Sequence, residues 1–186
     1  RAYPEIPVLG MIQPGVRAAL AASKSRRIGV WGTELTAESR AYDRAVLALE
    51  PDAYVLSVST PVLLRLCEKG QIDDRAYLSA LCDEYFAPVR DVDTLVLGCT
   101  DLTCVRDLID ETVGGSVMVV DPAEAVTVEA RQILEDANAL RGSRATPPHY
   151  SFMVTGDNVD EFAAFTARFL GVPHVDVEWV ELREVQ

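Results

Sequence analysis

Short apolar runs alternate with longer amphipathic ones along most of this chain. The runs are Ile6 to Ile12 (IPVLGMI), Arg27 to Trp31 (RIGVW), Ala53 to Val58 (AYVLSV), Thr94 to Gly98 (TLVLG) and Ser116 to Val120 (SVMVV). Each has the length of a strand. Ile6 to Ile12 is apolar throughout, and Thr94 to Gly98 shows no polar alternation, the pattern of a strand buried on both faces. Helical segments lie between them. Pro14-Gly15 opens a helix over Val16 to Ser23. A second runs from about Thr36 to Leu49, with Tyr42, Ala45, Val46 and Leu49 on one face. Pro61 suits the first position of a helix through Glu68, which Gly70 ends. Asp73 or Asp74 caps the next helix, through Ala87. A helix from Leu102 to Glu111 stops at Gly114-Gly115, and Asp121-Pro122 starts a long one to about Leu140.

Arg141 to Pro148 (RGSRATPP) has the composition of a linker. Strand Tyr150 to Thr155, helix Val159 to Leu170 and strand His174 to Val180 follow it. Alternating βα units with buried strands predict an α/β fold, a parallel sheet covered by helices. Five strands before the linker suffice for one compact domain. Two strands and one helix after it cannot bury both faces of their own sheet.

Composition removes several partners. The 186 residues carry 17 basic and 29 acidic side chains, a net −12. Such a chain repels phosphate backbones, and its densest basic run, Lys24-Ser25-Arg26-Arg27, is short, so no nucleic-acid partner is expected. No apolar run reaches the roughly 20 residues of a membrane helix. No basic start followed by an apolar stretch suggests a secretion signal, so the expected location is cytoplasmic, with no membrane partner. The first residue is Arg1 rather than Met, which raises the expectation that the N-terminus is missing. Cys67, Cys82, Cys99 and Cys104 form no C-x-x-C pair, and His149 and His174 lie far from them in sequence. A metal site has little support on that spacing.

In open α/β sheets, ligands sit outside the carboxyl ends of the strands. Gly98-Cys99-Thr100 is the most informative of these strand ends. The glycine permits a tight turn. The cysteine then precedes a helix N-terminus, whose partial positive charge favours a thiolate. Thr100 offers a hydroxyl and a backbone N–H to a carboxylate. The plainer reading is a buried cysteine followed by a threonine cap. Gly32-Thr33-Glu34-Leu35-Thr36 reads first as a helix start with threonine caps. Neither a G-x-G-x-x-G pattern nor a P-loop occurs, so a nucleotide cofactor has no support. Asp73-Asp74 reads as a capping pair; Cys67, Cys82 and Cys104 read as helical core positions. Trp31 and Trp179 read as packing residues.

With those residues in hand, the chain resembles the glutamate racemases of bacterial cell-wall synthesis. The similarity is carried by Pro7-Val8-Leu9-Gly10-Met11-Ile12-Gln13-Pro14-Gly15, and by Ile28-Gly29-Val30-Trp31-Gly32-Thr33-Glu34-Leu35-Thr36 with Ser39 and Tyr42. It is most specific in Leu95-Val96-Leu97-Gly98-Cys99-Thr100. It continues through Val120-Asp121-Pro122-Ala123-Glu124-Ala125-Val126, Phe152-Met153-Val154-Thr155-Gly156-Asp157 and Phe169-Leu170-Gly171. The resemblance implies a cofactor-independent racemase that inverts the α-carbon of glutamate and supplies D-glutamate for peptidoglycan. Two thiols would do this, one on each face of that carbon. Cys99 matches the second of the pair. The resemblance adds Glu68 and Asp101 to the catalytic group. It assigns Thr100, Asp101, Thr33 and Thr36 to substrate binding, expects glutamate as the small-molecule partner, and makes a homodimer an assembly to look for.

Two departures stand out. The family's GCTH is Gly98-Cys99-Thr100-Asp101 here, so an aspartate replaces a histidine beside the thiol. A carboxylate there opposes the thiolate, whereas a histidinium would favour it; related aspartate racemases carry an acid at that position (GCTE). The family's first cysteine, in a CNTA motif, and its DSGxGG motif have no counterpart in the chain. The implied architecture is two racemase-like α/β domains with parallel sheets, the first incomplete. Residues 1–13 belong to the first domain, 14–120 form the second, and 121–186 return to the first. The chain by itself is then expected not to racemise. The alternatives are a non-catalytic binding or regulatory protein of the same fold, and a racemase for aspartate or another acidic substrate.

Overall fold

The computed structural model describes residues 6–142 and 149–182. Most of residues 141–148, the expected linker, lie outside the described set. The described residues divide into two compact units, one over residues 1–67 and 71–140, the other over 68–70 and 141–186.

The first unit opens with helix α1 (Ile12–Ala22), then strand β1 (Arg27–Gly32). Two short helices follow, α2 (Glu34–Ser39) and α3 (Ala41–Leu49), then β2 (Tyr54–Ser59). Helices α4 (Pro61–Lys69) and α5 (Arg75–Phe86) lead to β3 (Thr94–Leu97). A 3-10 stretch over Thr100–Val105 runs into α6 (Arg106–Val113), followed by β4 (Met118–Val120) and α7 (Pro122–Asp136). The four strands are parallel in the order β2-β1-β3-β4. The chain leaves β1 in one direction to make β2 and in the other to make β3. The sheet therefore has a topological switch point between β1 and β3.

Strand side chains alternate between two cores, as a period of two requires. Ile28, Val30 and Val96 join Val16, Ala19, Tyr42 and Val46 under α1 and α3. Trp31, Leu95 and Leu97 join Leu63, Cys67, Leu78, Cys82 and Leu102 on the opposite face. All four residues of β3 are buried, as its unbroken apolar run predicts. Asp74 caps α5 by accepting from the Tyr77 N–H at 3.1 Å, and Gly70 stops the preceding helix with a φ of +67°.

The structure departs from the sequence pattern in three places. Ile6 to Met11 forms no strand, and α1 begins at Ile12. An extended segment is a strand only when a neighbour accepts its hydrogen bonds, and this one pairs with none of the described strands. The expected Thr36–Leu49 helix is broken at Arg40, which is left-handed with a φ of +48°. The break costs on the order of 1 kcal/mol. It is held by Asp43, which is buried, accepts from Arg40 Nε at 2.9 Å and from Ser57 Oγ at 2.6 Å, and so ties α3 to β2. The third departure is a 3-10 stretch over Thr100–Val105 where an α-helix from Leu102 is expected.

The second unit contains β5 (Phe152–Val154), α8 (Val159–Leu170) and β6 (Val177–Trp179). The strands pair in parallel, Phe152 opposite Val177 and Val154 opposite Trp179, with α8 as the crossover. Gly171 ends α8 in the left-handed region at a φ of +67°. Among this unit's described residues only Thr166 and Val175 are buried, and Trp179 is 51% exposed rather than packed. Two strands and one helix cannot build a core, as their number implies.

Candidate active site

The switch point places two of the sequence-derived segments side by side. β1 ends at Gly32 and β3 at Leu97, with Trp31 opposite Leu97 in register. The Gly98 N–H donates to the Trp31 carbonyl at 2.6 Å, so the two chains leave the sheet together. Gly32-Thr33 and Gly98-Cys99 thus share the carboxyl edge where open α/β sheets bind ligands.

Both glycines are required by close approach. A Cβ at Gly98 would lie 2.9 Å from the Trp31 carbonyl oxygen and 3.1 Å from Val30 Cγ1. A Cβ at Gly32 would lie 2.9 Å from Thr36 Cγ2. Thr36 therefore sits over both strand ends. Its N–H donates to Thr33 Oγ1 at 3.1 Å, and the two hydroxyls are 2.9 Å apart. Thr33 caps α2 as expected, but both side chains stay half-buried at the edge.

Cys99 is extended, with φ −135° and ψ 134°, and half-buried. Its thiol donates to Asp101 Oδ2 at 3.6 Å. A carboxylate accepting from a thiol favours the proton on sulfur. The expectation of a helix N-terminus behind the thiol is corrected: Thr100–Val105 is a six-residue 3-10 stretch, and the α-helix starts only at Arg106. The macrodipole acts within the first turn of a helix, and that turn is too far along the chain to serve Cys99. Thr100 is exposed at the start of the stretch.

The structure brings together Cys99, Thr100, Asp101, Thr33 and Thr36. Glu68 is exposed on the last turn of α4, within the three residues that group with the second unit. Sequence reasoning missed two members of the cluster as chemistry. Tyr42 is buried, and its hydroxyl is pushed up to about 12 by burial and by the nearby charges of Asp121 and Cys99. Asp121 is 6% exposed and accepts from Thr103 Oγ1 at 2.8 Å. Tyr42 carried a signal only as part of the Ser39/Tyr42 resemblance, and Asp121 only as a helix cap.

The other cysteines are mostly core, as expected. Cys67 and Cys82 are fully buried. A hydrogen bond donated to Cys104, with burial, pushes the Cys67 thiol far up, and burial pushes Cys82 up to about 11. Cys104 is half-buried and donates to the Asp101 carbonyl at 2.9 Å. Neither Cys67 nor Cys82 sits where a thiolate is favoured. A cavity of about 450 Å³ in the second unit is lined by both histidines, Tyr150, Phe152 and Asp176. It contains no thiol, and the chemistry is better sought at the sheet edge. Among the described residues no cluster of His, Cys, Asp or Glu could hold a metal ion, and no helix is long and apolar enough to cross a membrane.

A thiol at a switch point, grouped with three threonines and an aspartate, can exchange a proton with a small carboxylated molecule. Residues 1–130 match the Asp/Glu/Hydantoin racemase family. The chain belongs to that family. It is 38% identical over 180 residues to a glutamate racemase of Geobacter metallireducens, covering 95% of this chain and 65% of that protein. Glutamate racemase 1 of Caldanaerobacter subterraneus is 32% identical, with 98% and 68% covered. The crystal structure of glutamate racemase isoform RacE1 from Bacillus anthracis superposes with a TM-score of 0.84 at 33% identity, over 96% of this chain and 66% of that one. The racemase fold is therefore shared. The chain spans 65% of the length of the Geobacter relative.

Proposed function

We propose that this chain serves glutamate racemisation, without a cofactor, and that Cys99 is one of the two proton-transferring thiols. The observation that carries the reading is the position of Cys99 at the β1/β3 switch point of a family racemase fold, its thiol on Asp101. Inversion at the α-carbon requires one base to take the proton and an acid on the opposite face to return one. Cys99 donates its S–H to Asp101, so in this arrangement the thiol carries the proton that the donor step needs. Protonating the carbanion leaves a thiolate, which becomes the base for the reverse direction. Thr33, Thr36 and Thr100 offer hydroxyls to the substrate's carboxylates. Glu68 enters the catalytic group by resemblance. The second thiol belongs, by the same resemblance, to a CNTA motif that is not in this sequence. The product would be D-glutamate for peptidoglycan, and the location the cytoplasm.

The test is substrate protection. Iodoacetamide labelling of Cys99, followed by peptide mass mapping, should slow when L- or D-glutamate is present and stay unchanged with leucine. Labelling that ignores glutamate would refute the reading. Asp101 favours a second reading, an acidic substrate other than glutamate, because acids at this position occur in related aspartate racemases. Stronger protection by aspartate than by glutamate would select it.

A further inference from the structure

Asp121 closes β4 and opens α7, and its two carboxylate oxygens serve different elements. Oδ1 accepts from the Ala123 N–H at 2.9 Å and caps α7. Oδ2 accepts from Thr103 Oγ1 at 2.8 Å, in the middle of the 3-10 stretch that leaves Cys99. A cap alone needs one oxygen and no burial. Burying a carboxylate to 6% exposure is costly unless its remaining lone pairs are satisfied. The second bond therefore has a consequence for the fold: it fastens the Cys99 turn to the neighbouring strand end.

The register shows why the two meet. Val96 lies opposite Val120, so β3 and β4 leave the sheet side by side. The 3-10 stretch is anchored at its start by the Leu102 N–H to the Cys99 carbonyl, 3.3 Å. It is anchored at its end by Arg106 Nη2 to the Val119 carbonyl, 2.9 Å. Thr103 is the fastening between them. A 3-10 stretch of six residues is longer than such stretches usually run and has weaker hydrogen bonds than an α-helix. Its shape depends on such ties.

We propose that Asp121 is a positioning residue for Cys99, acting through Thr103 to hold the turn that sets the thiol against Asp101. This rests on Cys99 being the reacting thiol. The test reads sulfur reactivity with no substrate present, so it can fail while glutamate protection succeeds, and the reverse.

The experiment measures the iodoacetamide alkylation rate of Cys99 at fixed pH on the whole chain, with Cys67 and Cys82 as buried internal controls. Thr103→Val keeps the shape and removes the hydroxyl. It should raise the Cys99 rate about threefold or more, the low end of the energies that coupled neighbours show. Cys67 and Cys82 should stay protected. Thr103→Ser restores the hydroxyl and should return the rate to that of the parent chain. Asp121→Ala should match Thr103→Val, and the double variant should add nothing further. If Asp121→Ala does not fold, the Thr103 pair decides alone. An unchanged Cys99 rate in Thr103→Val, a failure of Thr103→Ser to restore it, or a parallel rise at Cys67 and Cys82 would each overturn the proposal.

Discussion

Asp93 is the joint between α1, β1 and β3, and removing it should cost more than any surface carboxylate. Its Oδ1 accepts from Ser23 Oγ at 2.6 Å and Thr94 Oγ1 at 3.1 Å. Its Oδ2 accepts from the N–H groups of Lys24 at 2.7 Å and Ser25 at 2.5 Å. Burial pushes the carboxyl up, but the donors from Ser23, Ser25 and Lys24 outweigh it, and the net position lies well below the usual carboxylate range. Hydrogen bonds to a charged group contribute about 1.5–3 kcal/mol each, and four on one carboxylate are far from additive. Asp93→Ala should therefore destabilise by about 3 kcal/mol, equivalent to about 6–12 °C in Tm for a chain this size. Asp93→Asn should lose only about 1 kcal/mol. Its amide oxygen can still face the two backbone N–H groups, and the two hydroxyls can rotate to accept from its NH2.

The pH dependence has a definite sign. A carboxyl depressed in the folded state contributes its full stabilisation above its unfolded pKa, near 3.9, and loses it as pH falls from there toward the folded value. Urea titrations of the three proteins at pH 7 and at pH 3.5 measure both effects. The parent chain should lose stability on acidification more steeply than Asp93→Asn does. An Asp93→Ala midpoint equal to the parent's, or identical pH slopes for the parent and Asp93→Asn, would rule out Asp93 as a charged joint of the fold.

Other outcomes follow from the site. Gly98→Ala drives a Cβ to 2.9 Å from the Trp31 carbonyl oxygen, which is backbone and cannot give way; it should destabilise by about 2 kcal/mol, read as a urea midpoint. Gly32→Ala collides with the Thr36 side chain instead, with Cγ2 at 2.9 Å and Cβ at 3.0 Å, so adding Thr36→Ala, which removes Cγ2 and keeps Cβ, should recover part of its loss, while the same addition should not rescue Gly98→Ala. Asp101→Asn removes the charge that accepts from the Cys99 thiol, and iodoacetamide should label Cys99 several-fold faster at neutral pH. Asp101→His should speed labelling further, and in a racemising protein should raise turnover.

The parts of the fold that sequence makes legible are those decided locally. TLVL reads as a doubly buried strand because nothing polar interrupts it, and Asp74, Gly70 and Pro61 mark helix ends by their own chemistry. What pattern cannot show is what depends on a distant partner. The break at Arg40 has no glycine or proline to announce it and is held by Asp43 against Ser57 on another strand. Ile6 to Met11 has strand composition but no strand beside it. The place of Cys99 and Thr33 just beyond strand ends was legible from the apolar runs that precede them, whereas a substrate-binding role for Thr33 and Thr36 came only from the resemblance. The second duty of Asp121 was not, because Thr103 reaches it only after β3 and β4 become neighbours. The 3-10 character after Cys99 was hidden too, since nothing in Thr100 to Val105 forbids an α-helix.

Under the proposed function, Cys99 transfers the α-proton of glutamate. The decisive measurement fuses to this chain the part of the Geobacter metallireducens relative that the chain does not cover, then follows deuterium incorporation at Cα and inversion of L- and D-glutamate in D2O. Two-way racemisation is expected, lowered about a thousandfold by Cys99→Ala, with none from the chain without the added segment. Racemisation that survives Cys99→Ala would contradict it.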